Sequence, residues 1–237
     1  NMAQREEAVE LQLNLGTFYR RRGEIDKAIS IHQSLFARPD LDKALSAEVQ
    51  FALASDYLNA GLLDRAERLL LELLKTNGPL KQKVISELVT LYEEEQDWDK
   101  ILKLSGETRQ LKDNKSIAYA CCELASKAIK TQNWRDADSY IKRALKLDGQ
   151  CIRALLLEAE MAEIEGFPKK MLNSFKEALL NDPAILPVIL PKLQQDLESR
   201  HRPEELESLL QELWYQSPTP LNLHSCVKHL AEYKELD

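Results

Sequence analysis

Glycine is scarce in this chain, with 7 in 237 residues, and aromatic side chains make up only 6%. No segment sustains the period-two alternation of a half-buried strand, so no strands are expected. No apolar run approaches the roughly 20 residues needed to cross a bilayer, and no signal peptide is visible. Four cysteines, Cys121, Cys122, Cys151 and Cys226, fall into no C-x-x-C pair. They read as buried, reduced thiols, which suits a cytosolic setting. Positive charge is also in deficit: 32 Lys and Arg face 39 Asp and Glu, for a net charge of −7. Phosphate backbones need a basic surface, so nucleic acid is excluded as a partner.

The signatures of chemistry are missing as well. There is no phosphate-cradling Gly-rich loop, no Gly-x-Ser-x-Gly elbow and no zinc-spaced Cys/His set. The nearest metal candidate is His224, Cys226 and His229. On one helix residues 224 and 229 project about 140° apart, which keeps them from sharing an ion. No catalytic, cofactor-binding or metal-binding residue is therefore assigned, and the chain reads as non-enzymatic.

What is present is a repeated helical pattern. In LQLNLGTFYRRRGEIDKAISIHQSL, residues 11–35, Leu15, Gly16, Tyr19, Gly23 and Ala28 mark two short helices joined at Gly23. Leu15 and Tyr19 lie one turn apart and should share an apolar face. Gly16 allows close approach, and Gly23 can take the left-handed conformation that ends a helix. Taking Gly23 as a register mark, the pattern returns at Gly61, Gln96, Gln132, Gly166 and His201, at intervals of 38, 35, 36, 34 and 35 residues. Leu53, Ala54, Tyr57 and Ala66 accompany the second mark, and Leu88, Val89, Tyr92 and Ile101 the third. Leu124, Ala125, Ala128 and Ala137 accompany the fourth, Ala159 and Ala162 the fifth, and Leu193, Leu197 and Leu206 the sixth.

Period and pattern are those of tetratricopeptide repeats. The expected fold is all-α, a right-handed superhelical tetratricopeptide-repeat solenoid. The expected domain is a single one over 9–237, with repeats at 9–46, 47–81, 82–117, 118–151, 152–186 and 187–221 and a terminal helix at 221–235. Residues 1–8 read as a tag remnant and polar lead-in. Asn1 before Met2, and an end inside a repeat's first helix, point to a segment cut from a longer protein.

Local signals refine the picture. Pro39 interrupts the chain after the first repeat, and Asp40 or Asp42 can cap the next helix. Trp98 and Trp134 occupy the position that Ile25 holds in the first repeat, and read as packing residues rather than ligand-stacking ones. His32 reads as a partly buried, hydrogen-bonded histidine, and Cys121 and Cys122 as core residues. Pro183 should end the second helix of the fifth repeat, Pro187 and Pro191 should lie near a helix start with Pro191 inside the helix, and Pro203 should sit in a first turn.

A solenoid without chemistry works through its surface. The first helix of each repeat should line a concave groove, with Leu13, Thr17, Arg20 and Arg21 from the first repeat and Phe51, Ser55 and Asn59 from the second. Glu87, Thr90, Glu93 and Glu94 follow from the third, and Tyr119, Cys122, Ser126 and Lys130 from the fourth. The run Arg20–Arg22 and the run Glu93–Glu95 give the groove two poles that could orient a partner segment. Arg20, Arg21, Thr17, Phe51, Ser55, Asn59, Glu87, Glu93 and Glu94 are the expected partner-binding residues. A terminal-carboxylate clamp of Lys and Asn is not expected, because Leu13, Thr17 and Ala52 stand at its places.

The strings LNLGTFYRRRGEIDKAISIHQSL and DYLNAGLLDRAERLLLELL closely resemble the cytoplasmic repeats of the lipopolysaccharide assembly protein B family of Gram-negative bacteria. The likeness is strongest over 9–75, continues through YEEEQDWDKILKL and YACCELASKAI, and fades after about 185. The resemblance implies an N-terminal membrane helix and a C-terminal rubredoxin-like Cys₄ metal knuckle, neither of which is in this chain. It implies an adaptor on the cytoplasmic face of the inner membrane, coupling the membrane-bound protease FtsH to the deacetylase that commits precursor to lipid A. No cofactor is expected in this segment, and a homodimer stays open. The alternatives are the repeat domain of a larger enzyme such as a glycosyltransferase, or a generic peptide-binding scaffold.

Overall fold

The computed structural model describes residues 2–76, 78–107, 114–202 and 204–216. The terminal helix expected at 221–235, Pro203, and the trio His224, Cys226 and His229 lie outside the described residues. Contacts divide the chain into two compact units, residues 1–112 and 113–237. Among the described residues there are only helices and turns.

The first unit contains three antiparallel helix pairs: α1 (Met2–Arg21) with α2 (Ile25–Phe36), α3 (Lys43–Asn59) with α4 (Leu63–Lys75), and α5 (Lys81–Glu94) with α6 (Trp98–Glu107). Each helix packs on its neighbour in sequence, and α1, α3 and α5 also lie side by side. The second unit pairs α7 (Asn114–Lys130) with α8 (Trp134–Leu147), α9 (Ile152–Ile164) with α10 (Pro168–Asn181), and α11 (Leu186–Ser199) with α12 (Glu204–Gln216). A short 3-10 turn, Pro183–Ile185, leads into α11. Pro187 falls in the first turn of α11, and Pro191 lies inside it.

Each pair reverses direction through one left-handed residue. The positive φ angles among the described residues fall at Gly23 (79°), Gly61 (71°), Gln96 (56°), Gln132 (58°), Gly166 (74°) and His201 (55°), which are the six register marks of the sequence. The hydrogen bonds are those of a Schellman turn. In the first pair the Glu24 N–H donates to the Tyr19 carbonyl at 3.0 Å and the Gly23 N–H to the Arg20 carbonyl at 3.0 Å. In the fourth the Asn133 N–H donates to Ala128 at 2.8 Å and the Gln132 N–H to Ile129 at 2.9 Å. These bonds satisfy carbonyls that a helix end would otherwise leave open.

Five residues after each mark stands a side chain that the paired helix covers. Ala28, Ala66, Ile101, Ala137, Met171 and Leu206 are all buried. Asp42, rather than Asp40, caps α3: its Oδ1 accepts the Leu45 N–H at 2.7 Å, while Asp40 pairs with Arg38 at 2.8 Å. Trp98 and Trp134 open α6 and α8, as Ile25 opens α2. Leu15 departs from expectation. It is 43% exposed, and with Leu11 and Phe18 forms an apolar strip on α1. The same register position in α3, Leu53, is only 2% exposed. The difference follows from neighbours: α2 precedes α3 and packs on it, whereas α1 is the first described helix.

Two measurements probe this register. Ala28→Leu or Ala66→Leu overpacks the closest part of a hairpin and should lower stability by about 1–3 kcal/mol in urea unfolding. Gln132→Gly removes a Cβ from a left-handed position and should raise stability by about 1 kcal/mol. An unchanged midpoint for Gln132→Gly would contradict the left-handed turn.

Candidate functional site

The expected groove residues of the first unit lie on α1, α3 and α5, whose mutual packing places them on adjoining helices. Arg21 and Asn59 are exposed, Thr17 and Phe51 are half-buried, and Ser55 is buried. Asn59 turns back on its own helix, where its Nδ2 donates to the Ser55 carbonyl at 2.8 Å. On α5, Glu87 and Glu93 are half-buried and Glu94 is exposed. Burial pushes the Glu87 carboxyl above its ordinary value, while the Arg20 charge on α1 pulls it the other way. Among the nine residues, this electrostatic link joins α1 to α5.

Arg20 is not the exposed charge that the sequence suggests. Its side chain is 19% exposed, and its NH1 donates to the Asp56 Oδ1 at 2.8 Å and to the Ala52 carbonyl at 3.0 Å. Asp56 is wholly buried inside α3, where an unpaired carboxylate would be costly. Its second oxygen lies 2.5 Å from Nδ1 of His32, which is also wholly buried. The remaining ring nitrogen, Nε2, lies 3.1 Å from the Leu13 carbonyl. Both ring nitrogens thus face oxygen atoms, one of a carboxylate and one of a backbone carbonyl. One carboxylate ties α1, α2 and α3 together, and His32 is more deeply buried than the sequence suggests.

The histidine has room because of Gly16. A Cβ built there would come within 2.4 Å of the His32 ring, so the close approach on α1 is to an imidazole lying against backbone. Next to it, Gln33 Nε2 donates to the Tyr57 hydroxyl at 2.8 Å. Gly16 and Arg20 on α1, His32 and Gln33 on α2, and the dipeptide Asp56–Tyr57 on α3 are therefore parts of one joint. Sequence reasoning missed it, although an acid beside Leu53 and Tyr57 on a buried helix face was a signal.

In the second unit, Tyr119 is exposed on α7 with Arg153 over its ring at 5.9 Å, and Arg153 pairs with Glu123 at 2.6 Å. Cys121 and Cys122 are buried as expected, but Cys151 is only half-buried. A groove of about 490 Å³ between α10 and α12 is lined by Lys169, Lys176, Arg202, Glu204, Glu205 and neighbours. Lys176 pairs there with Glu212 at 2.5 Å, so the groove has no single-sign field. Among the described residues no group of His, Cys, Asp and Glu is placed to hold a metal ion, and no helix is long and apolar enough to cross a membrane.

The fit of His32 on Gly16 can be measured with a double-mutant cycle. Gly16→Ala alone should cost about 1–3 kcal/mol by overpacking. In a His32→Ala background the same change should cost far less, because the ring it meets is gone. Additive effects in urea unfolding would show that the two residues do not touch.

Residues 10–44 match the family model described as tetratricopeptide repeat. Lipopolysaccharide assembly protein B of Haemophilus influenzae (strain Rd) is 28% identical over 206 residues, covering 85% of this chain and 51% of that protein. The protein of the same name from Escherichia coli K12 is 27% identical over 208 residues, covering 86% of this chain and 53% of its own length. The chain thus spans about half the length of these relatives. Among solved structures, a crystal structure of MamA protein superposes with a TM-score of 0.51 at 17% identity, over 76% of this chain and 94% of that one. That likeness concerns the fold alone. With a repeat-model match that runs from α1 into the start of α3, and relatives matched along about 85% of its length, the chain is a tetratricopeptide-repeat homologue of lipopolysaccharide assembly protein B.

Proposed function

We propose that this chain is the protein-binding part of an adaptor that regulates lipopolysaccharide assembly. The observation that carries the reading is homology to lipopolysaccharide assembly protein B across about 85% of the chain. The division of labour in the first unit supports it. Arg20, His32, Gln33, Asp56 and Tyr57 are spent on holding α1, α2 and α3 at fixed spacing. Rigid spacing of this kind suits a surface that recognises another protein rather than one that reshapes around it. Thr17, Arg21, Phe51, Asn59, Glu93 and Glu94 then present the contact surface, basic on α1 and acidic on α5. Arg20, Ser55 and Glu87 support it from beneath.

In its finer form the proposal assigns two protein partners, the membrane-bound protease FtsH and the deacetylase of lipid A synthesis. The adaptor brings the second to the first at the cytoplasmic face of the inner membrane and so limits the pathway. Charges at the rim of such a contact set association rate and partner choice. They contribute little to folding when exposed.

Arg21→Glu is the discriminating variant, because Arg21 is exposed while Arg20 is committed within the chain. It should weaken capture of protease or deacetylase about tenfold, or on the order of 1.4 kcal/mol, with an unchanged unfolding midpoint. Arg20→Glu would set a second carboxylate against Asp56 and should lower capture and stability together. Undiminished capture by Arg21→Glu would remove this face from the contact.

A further inference from the structure

Two cysteines in the second unit stand in a relation that the scaffold reading does not use. Cys122 lies in the middle of α7 and is wholly buried, and Cys151 is the residue that precedes α9. Their sulfurs are 3.8 Å apart. A disulfide requires roughly 2.05 Å, an approach of under about 2 Å. Cys151 belongs to the turn between α8 and α9 rather than to a helix interior, so that approach falls on the more adaptable partner. In that turn the Cys151 N–H donates to the Asp148 carbonyl at 3.1 Å. Cys121, adjacent to Cys122, is equally buried.

The two sulfurs differ in environment. Cys151 is half-buried and so the more open of the two to a small oxidant, whereas Cys122 is wholly buried. The hydrogen bond from Cys122 holds the Cys151 thiol below its ordinary range, at about 6, against the opposing effect of burial. The sulfur makes no cap hydrogen bond of ordinary geometry with α9. Even so, the N–H groups of Ala154 and Arg153 favour its anion, and Asp148 opposes it. The same pairing, together with burial, pushes the Cys122 thiol up, and the Arg153 charge works against that shift. A thiolate next to a protonated thiol is the arrangement in which one sulfur attacks and the other resolves.

We propose that Cys151 and Cys122 form a peroxide-responsive dithiol, in which Cys151 reacts first and Cys122 closes it into an intramolecular disulfide. In the first step the Cys151 thiolate attacks one peroxide oxygen. The O–O bond breaks, a sulfenic acid forms, and hydroxide leaves and takes up a proton as water. In the second step the Cys122 sulfur attacks the Cys151 sulfur. The S–O bond breaks, the S–S bond forms, and the departing hydroxide leaves as water with the Cys122 proton. Two thiols and one hydrogen peroxide give one disulfide and two waters, with two electrons passing from sulfur to oxygen. The crosslink fixes the start of α9 to the middle of α7, the first helices of two successive hairpins.

The test uses the whole chain, reduced, desalted and treated with about one equivalent of hydrogen peroxide, then digested and mapped by mass spectrometry. The expected result is a crosslink between the peptide carrying Cys122 and that carrying Cys151, reversed by dithiothreitol and retained in Cys121→Ser. The oxidised chain should unfold at higher urea than the reduced one. In Cys122→Ser, with no resolving thiol, Cys151 should accumulate as a sulfenic acid trapped by dimedone. In Cys151→Ser, Cys122 should stay unmodified. A wild-type chain that remains fully reduced overturns the proposal, as does a crosslink that survives in Cys122→Ser. The wild-type map decides the matter even where a variant folds poorly.

Discussion

Every hairpin here depends on reversing a helix at one left-handed residue. The constraint is severe, because an L-residue with a Cβ is strained there and only glycine takes the conformation freely. Three of the six positions have glycine, and Gln96, Gln132 and His201 accept the strain. What they gain is a pair of hydrogen bonds on the open carbonyls and a fixed angle of departure for the next helix. That angle brings the residue five positions later against the first helix, which is why Ala28, Ala66 and Ala137 are small and buried. Spacing in the sequence becomes spacing between helices.

The joint at Asp56 acts one level higher, between hairpins. An apolar seam can slide by a fraction of a turn at modest cost, whereas a carboxylate held from both sides cannot. The Asp56 carboxylate receives Arg20 from α1 and His32 from α2, and both must be in place for the buried charge to be tolerated. Gly16 belongs to the same device, because without its bare backbone the imidazole has nowhere to lie. The residues of the first hairpin that meet Asp56 are thus occupied largely with geometry. Their neighbours on the exposed side are left to meet other molecules.

The periodic part of this structure was legible in the sequence. The six register marks are the six left-handed residues, including the three that are not glycine, because the period points to them even when composition does not. The choice of cap between Asp40 and Asp42, and the depth of His32, were not legible. Both depend on where a side chain lands in space, 24 residues away from its partner in the case of His32 and Asp56. Arg20 looked like one of three equivalent arginines, and only the neighbouring helix distinguishes it from Arg21. Leu15 failed for the opposite reason: its spacing is that of a core residue, but among the described residues no helix covers its side of α1. Cys151 gave no signal either, since a residue before a helix shows its partner only once α7 and α9 are set side by side.

The exposed strip of Leu11, Leu15 and Phe18 has a consequence for how order is distributed along the first unit. In a stack of repeats each member is held by its neighbours, and an element with less buried apolar surface opens more readily. Among the described residues no helix covers that strip, and α1 is held by α2, by α3 and by the polar joint to His32 and Asp56. Its cohesion therefore has a different temperature character from that of α3. Apolar burial weakens on cooling, whereas a bonded carboxylate does not share that dependence, so the two helices respond unequally to cold.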